Sequence, residues 1–180
     1  MTEDELRETL ASYRTSAIHA TLYRATLFER DPLASSFRGG RWIPPGSKAV
    51  LYTSMSREGA LAEIAFRLGL NTPLSTKPVK LHRIKVDSEA VLALSNANLQ
   101  TLEVALSNFG SLAYDWTQLI GLAAFQIGAS ALQVPSARWP SDNLVILDEA
   151  TAKNSIELIE YEVVDWIAWA RRFTPHFLSS

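Results

Sequence analysis

Apolar residues first recur at helical spacing at Leu6, Leu10 and Tyr13, and Thr2 followed by Glu5 places a capping-box pattern just ahead of them. Together they predict a helix over residues 3–13 that packs by one face. Residues 20–26 (Ala-Thr-Leu-Tyr-Arg-Ala-Thr) alternate and are rich in strand formers, so a strand carrying Tyr23 and Arg24 is expected there. The next twenty or so positions, 29–48, lose all periodicity under Pro32, Gly39, Gly40, Pro44, Pro45 and Gly46. A loop of that length inside a compact domain is usually functional or disordered, and Phe37, Arg38, Arg41 and Trp42 argue against simple disorder.

Beyond the loop, residues 49–53 read as a short strand. Ser54 or Ser56 can cap a helix over 57–68 that Gly69 ends, and this helix bears Glu63. Further strands are expected at 80–86, 132–134, 144–147 and 156–164, and further helices at 99–106, 115–127 and 166–172. Strands and helices mix without a regular β-α alternation, so the fold class is α+β, with a mixed or antiparallel central sheet and flanking helices. No repeat, low-complexity tract or linker divides the chain. One domain is expected over 1–180, with 1–19 as an N-terminal helical extension and 20–147 as the motif-bearing region.

Composition narrows the function classes. The 180 residues are 47% hydrophobic, enough for one well-filled core. No cysteine is present, which removes disulfide frameworks and thiolate metal sites. The first thirteen residues lack the basic-then-apolar order of a secretory signal, and no apolar run approaches the roughly 20 residues that span a bilayer. A cytoplasmic, membrane-free protein is therefore expected. Seventeen basic residues against nineteen acidic ones give a net charge of −2 with no basic run, which disfavours direct nucleic-acid binding.

Several familiar chemistries fail on spacing. His19, His82 and His176 lie too far apart for a helical zinc motif, so no metal site is expected. Gly39-Gly40 belongs to neither a dinucleotide fingerprint nor a P-loop, and Ser136 is not set in G-x-S-x-G. Four stretches remain whose polar residues a core or plain turn would not require: Tyr23-Arg24, Gly39-Gly40-Arg41-Trp42, Leu51-Tyr52-Thr53-Ser54 with the helix to Glu63, and Val134-Pro135-Ser136-Ala137. Arg24 alone reads as a solvated strand residue, and the glycines before Arg41 alone read as a turn. Two converging arginines, however, match phosphate oxygens with planar forks of donors. Glu63 lies off the apolar stripe of Leu61, Ile64, Ala65 and Leu68, four residues before Arg67. An exposed i,i+4 ion pair and a carboxylate on a covered face beside Phe66 carry equal weight on that geometry.

Taken in order, Tyr-Arg on an early strand, Gly-Gly-Arg-Trp, Leu-Tyr-Thr-Ser with Ala-Leu-Ala-Glu on the following helix, and Val-Pro-Ser-Ala ahead of Asn143-Leu144-Val145-Ile146 resemble the RES family, named for an Arg, a Glu and a Ser. The resemblance runs from Leu22 to Ile146. It implies a compact fold akin to ADP-ribosyltransferases and diphtheria-type toxins, and a toxin of a type II toxin–antitoxin system that depletes NAD by cleaving its nicotinamide–ribose bond. NAD would be the substrate, with no separate cofactor. Carried over by position, Arg24, Glu63 and Ser136 stand as catalytic residues and Tyr23, Arg41, Tyr52 and Asn143 as substrate-binding ones. Ser136 would position substrate and not act as a nucleophile. The implied partner is a helix-turn-helix (Xre-type) antitoxin in an oligomeric complex that occludes the pocket. Trp42 stands where relatives often carry another aromatic, and Asp142 replaces a glycine that many relatives have before the asparagine. Water, phosphate or a protein side chain remain open as acceptor, and a silent NAD-binding module is the reading from another class.

Overall fold

The longest strand organises the chain. In this computed structural model, which describes residues 1–71, 73–147 and 154–173, β3 (Val79–Ala93) pairs antiparallel with β1 (Thr15–Thr26) and β6 (Asn154–Val164) and parallel with β4 (Ala131–Pro135). β5 (Asp142–Ile146) joins β4 to β2 (Leu51–Ser54), and Tyr23 opposite Ser54 joins β2 back to β1. The pairings β1–β2–β5–β4–β3–β1 thus close on themselves, with β6 added outside β3. The sheet is mixed, β3–β4 being its parallel pair, as the irregular order of elements predicts.

Closure explains where the core lies. Leu22, Leu51, Ile84, Val86, Val91, Ala131, Leu144 and Ile146 form one buried cluster drawn from all five ring strands and no helix. Each Leu, Ile and Val side chain there contributes about 1.5–3 kcal/mol on full burial. A second cluster packs α2 (Arg57–Gly69) and α5 (Trp166–Phe173) against the sheet through Leu61, Ile64, Leu68, Trp166 and Trp169. A third gathers α1 (Glu3–Ser12), α3 (Asn96–Thr101) and α4 (Asp115–Gln126) with Trp42, Ile43 and Val50 of the long loop. Among the described residues no helix is long and apolar enough to cross a membrane.

The starts of α1, α2 and α3 follow their caps. Thr2 Oγ1 accepts from the Glu5 N–H at 3.2 Å while the Glu5 carboxylate accepts from the Thr2 N–H at 2.7 Å, and Leu6 and Leu10 are then buried. Ser56 Oγ accepts from the Gly59 N–H at 3.0 Å and opens α2. The helix expected at 99–106 is instead α3 followed by a short 3-10 turn, Leu106–Asn108. Ser95 and Asn98 form a capping box that starts the helix earlier, and Glu103, at φ 62°, ends it in the left-handed region. β1 begins at Thr15, not Ala20, because its exposed first residues are held by β3 across Thr15↔Leu92 and Ser16↔Val91 and by a 2.7 Å contact between His19 and Asp87. β3 likewise runs beyond the expected 80–86. Ser88 and Ser130, both buried, satisfy each other at 2.7 Å, so a polar residue inside the strand goes unpunished.

Candidate functional site

Helix α2 buries Ala60, Leu61, Ala62, Ile64, Ala65 and Leu68, leaving Glu63 half-buried beside the segment that joins β4 to β5. Its Oε1 accepts from Ser136 Oγ at 2.7 Å and from Asn143 Nδ2 at 2.9 Å. Hydrogen bonds to a charged group contribute about 1.5–3 kcal/mol each, so the carboxylate is held in one place. Of the two readings of Glu63, the covered face is the one observed. Arg67 is exposed and the carboxylate turns to Ser136 and Asn143, while Phe66 is covered by the Arg138 guanidinium, 3.4 Å from its ring centroid.

Local turns fix both donors. The Ser136 hydroxyl accepts from the Arg138 N–H at 3.1 Å, and the Ser136 N–H donates to the Ser141 carbonyl at 2.8 Å. Asn143 lies opposite Val134 in the β4–β5 ladder. Ser56, the cap of α2, donates to Ser141 Oγ at 2.9 Å and so ties the start of the glutamate's helix to the serine's loop. Asp142, where the family resemblance leads one to expect glycine, accepts from Gln133 Nε2 at 2.8 Å through its side chain and from the Met55 N–H at 2.9 Å through its carbonyl. The loop keeps a defined geometry without the glycine.

The long loop is packed, not free. Gly39 takes φ 68° where a Cβ would lie 2.5 Å from the Pro45 nitrogen, and a Cβ on Gly40 would come within 2.8 Å of the Tyr52 hydroxyl. The Tyr52 hydroxyl accepts from the Trp42 N–H at 3.2 Å. From α4, Gln118 Nε2 donates to the Gly40 carbonyl at 2.8 Å and Thr117 Oγ1 to the Arg41 carbonyl at 2.6 Å. Trp42 and Ile43 are buried, which leaves Arg41 projecting from an anchored backbone. Its guanidinium lies 4.6 Å from the ring centroids of both Phe109 and Tyr114 and donates to the Ser111 carbonyl at 3.1 Å. Partial burial lowers the Arg41 pKa, with Arg138 adding to that shift and Tyr114, Glu63 and Tyr52 opposing it. Burial pushes the Tyr52 phenol up to about 12, so it stays protonated as the loop's support.

Tyr23 and Arg24 occupy opposite faces of β1, as strand alternation requires. Tyr23 packs against the cluster of α2 and α5. Arg24 stands opposite His82 in the β1–β3 register. His82 is buried, its Nε2 is 2.9 Å from Thr26 Oγ1, and burial together with the charges of Lys80 and Arg24 depresses its pKa. The sequence-predicted residues therefore fall into three groups: Glu63 with Ser136 and Asn143, Arg41 with Tyr52, and the Tyr23–Arg24 pair on β1. Sequence reasoning missed Arg138, Phe109, Tyr114, Thr117 and Gln118. A signal for one was present, since Arg138 follows Ser136 by two residues.

Ser136 also lies on the wall of an open cleft of about 650 Å³, with Phe109, Gly110, Trp139, Ser95 and Asn96 around it. That volume is in the range of small-ligand sites. Among solved structures, a chain of the M. tuberculosis MbcT–MbcA toxin–antitoxin complex aligns with a TM-score of 0.77 and 22% identity, covering 94% of this chain and 98% of that one. The fold is therefore shared. An anti-CRISPR protein aligns at a TM-score of only 0.38 and 15% identity, over 82% of this chain and 99% of its own, and carries no argument. No curated protein matches the sequence. The family model for the RES domain matches residues 18–167, nearly all of the strand ring together with the Glu63 site, and the chain belongs to the RES domain family.

Proposed function

We propose that this chain is the toxin of a toxin–antitoxin pair and that it cleaves the nicotinamide–ribose bond of NAD. The observation that carries the reading is the fixed carboxylate: both donors, Ser136 Oγ and Asn143 Nδ2, engage the same oxygen of Glu63. In this reading Oε2 is the oxygen left for substrate. Breaking the N-glycosidic bond sends its electron pair to the nicotinamide nitrogen, which becomes neutral, and leaves positive charge on the ribose. A carboxylate already held in place stabilises that charge without reorganising. Oxygen from water then bonds to the anomeric carbon and releases a proton to solvent, or inorganic phosphate bonds there instead. Arg24 and Arg41 hold the pyrophosphate, Tyr23 lines the pocket and Tyr52 supports Arg41's loop, so that the reacting bond stays in line with Glu63.

The fold shared with a toxin–antitoxin complex supports a protein partner, which we assign as a helix-turn-helix antitoxin that covers the cleft beside Ser136. The pair would act in the cytoplasm, where NAD is abundant. Nicotinamide release from NAD by the purified chain, with and without phosphate, tests the reading. Modification of an added protein by ADP-ribose without free ADP-ribose accumulating would replace hydrolysis with transfer.

A further inference from the structure

We infer that Arg138, two residues past Ser136, determines specificity by gripping the diphosphate of a dinucleotide substrate together with Arg41. The inference rests on the proposed cleavage of NAD and adds a residue to its substrate grip. Three observations carry it.

The first is placement. Phe109 supplies a ring to the Arg41 guanidinium, 4.6 Å from its centroid, and a Cβ on the next residue, Gly110, would lie 3.5 Å from Arg138 Nη1. Two guanidinium groups thus reach adjacent residues of one segment, and both residues line the cleft that Ser136 borders. The second is preorganisation. Arg138 lies 3.4 Å over the centroid of Phe66, and Arg41 between Phe109 and Tyr114, so neither fork has to be ordered when a ligand arrives. The third is charge. Arg41 and Arg138 are part-buried, yet among the described residues neither has a carboxylate within 4.0 Å, unlike the part-buried Arg57, which pairs with Glu58 and Glu162. Burial is the main cause that lowers the Arg41 pKa, and the Arg138 charge adds to it while Tyr114 and Glu63 oppose it. Two like charges set against one segment destabilise each other until an anion bridges them. A diphosphate, with paired oxygens on each phosphorus, matches two planar forks, and a single phosphate engages them less completely.

Arg138 also connects this grip to the carboxylate. Its N–H donates to the Ser136 hydroxyl that in turn donates to Glu63, so the same turn aims the guanidinium at the phosphates and the serine at the glutamate.

Calorimetric binding of ADP and of AMP tests the inference without any turnover. The wild-type chain should bind ADP more tightly than AMP. Arg138→Ala should weaken ADP at least tenfold and bring the two ligands close to equal. Arg138→Lys, which keeps charge but loses the planar fork, should fall between. Arg14→Ala, at an exposed position, controls for net charge and should match wild type. Circular dichroism of each variant confirms folding, and Arg138→Gln provides a second neutral variant. Equal ADP affinity in wild type and a folded neutral variant overturns the inference, as does a wild-type chain that binds ADP no better than AMP. Nicotinamide release by wild type is scored separately. Loss of ADP binding in Arg138→Ala beside a wild type that releases no nicotinamide would support the diphosphate grip and refute NAD cleavage.

Discussion

Gly121 in the middle of α4 is where the account of the long loop is most exposed to test. By helix propensity alone, Gly121→Ala should stabilise the chain by about 1 kcal/mol. The structure predicts the opposite sign, because the added Cβ would stand 1.7 Å from the Trp42 carbonyl oxygen and 2.7 Å from its carbonyl carbon. Both obstacles are backbone, on a loop whose neighbouring carbonyls are already bonded to Thr117 and Gln118 of the same helix. Neither side can swing away as a flexible side chain would. Overpacking of this kind costs about 1–3 kcal/mol and more where nothing can move, so we place it near 3 kcal/mol. Subtracting the propensity gain leaves a net loss of about 2 kcal/mol. At about 2–4 °C per kcal/mol for a chain of this size, the midpoint should fall by about 4–8 °C. Thermal unfolding followed by far-UV circular dichroism reads this directly. Because Arg41 adjoins the displaced Trp42, the proposed NAD cleavage should also show a KM that rises more than kcat falls. A midpoint equal to or above that of wild type, the outcome propensity alone predicts, would refute the packing of α4 against the loop.

Tyr52→Phe removes the acceptor of the Trp42 N–H and should cost about 1–3 kcal/mol at neutral pH, measured by urea unfolding. Burial raises the phenol from 10 to about 12, so between those values the unfolded chain has lost a proton that the folded chain keeps. Wild-type stability should therefore drop by about 1.4 kcal/mol per pH unit across that window relative to Tyr52→Phe, and an identical pH dependence of the two proteins would contradict the burial. Ser136→Ala leaves Asn143 as a donor to Glu63. Losing one bond to a charged group, about 1.5–3 kcal/mol, should lower kcat about ten- to a hundredfold in steady-state kinetics with little change in the unfolding midpoint, and an unaltered kcat would remove Ser136 from the site.

Local signals carried over from sequence to fold where they were chemically specific. Thr2 and Glu5 form the capping box that their spacing announces, and Phe66 on the Glu63 side of α2 marks a face that is indeed covered. Of the loop's two aromatic residues, Trp42 is buried beside Ile43 as packing requires, while Phe37 is 63% exposed. What stayed hidden depends on partners far away in sequence. The first five residues of β1 are strand because β3 lies beside them, and Ser88 is tolerated in β3 because Ser130, 42 positions later, accepts its company. The anchors of Arg41, Thr117 and Gln118, sit 76–78 positions from the carbonyls they bind and look like ordinary polar helix residues. Gly121 carried only the ordinary propensity cost of a glycine inside a helix, which does not say that the Trp42 backbone approaches it. Closure of the strands into a ring has no local signature at all.

In the proposed reaction a carboxylate fixed by Ser136 and Asn143 drives cleavage of NAD. Nicotinamide release by wild type and by Glu63→Gln, each confirmed to be folded and free of a bound partner, tests it most directly. Wild type should release nicotinamide, and Glu63→Gln should lose about 3 kcal/mol of transition-state stabilisation, a rate lower by about two orders of magnitude or more. Release at the wild-type rate by folded Glu63→Gln, or no release by wild type, would contradict it.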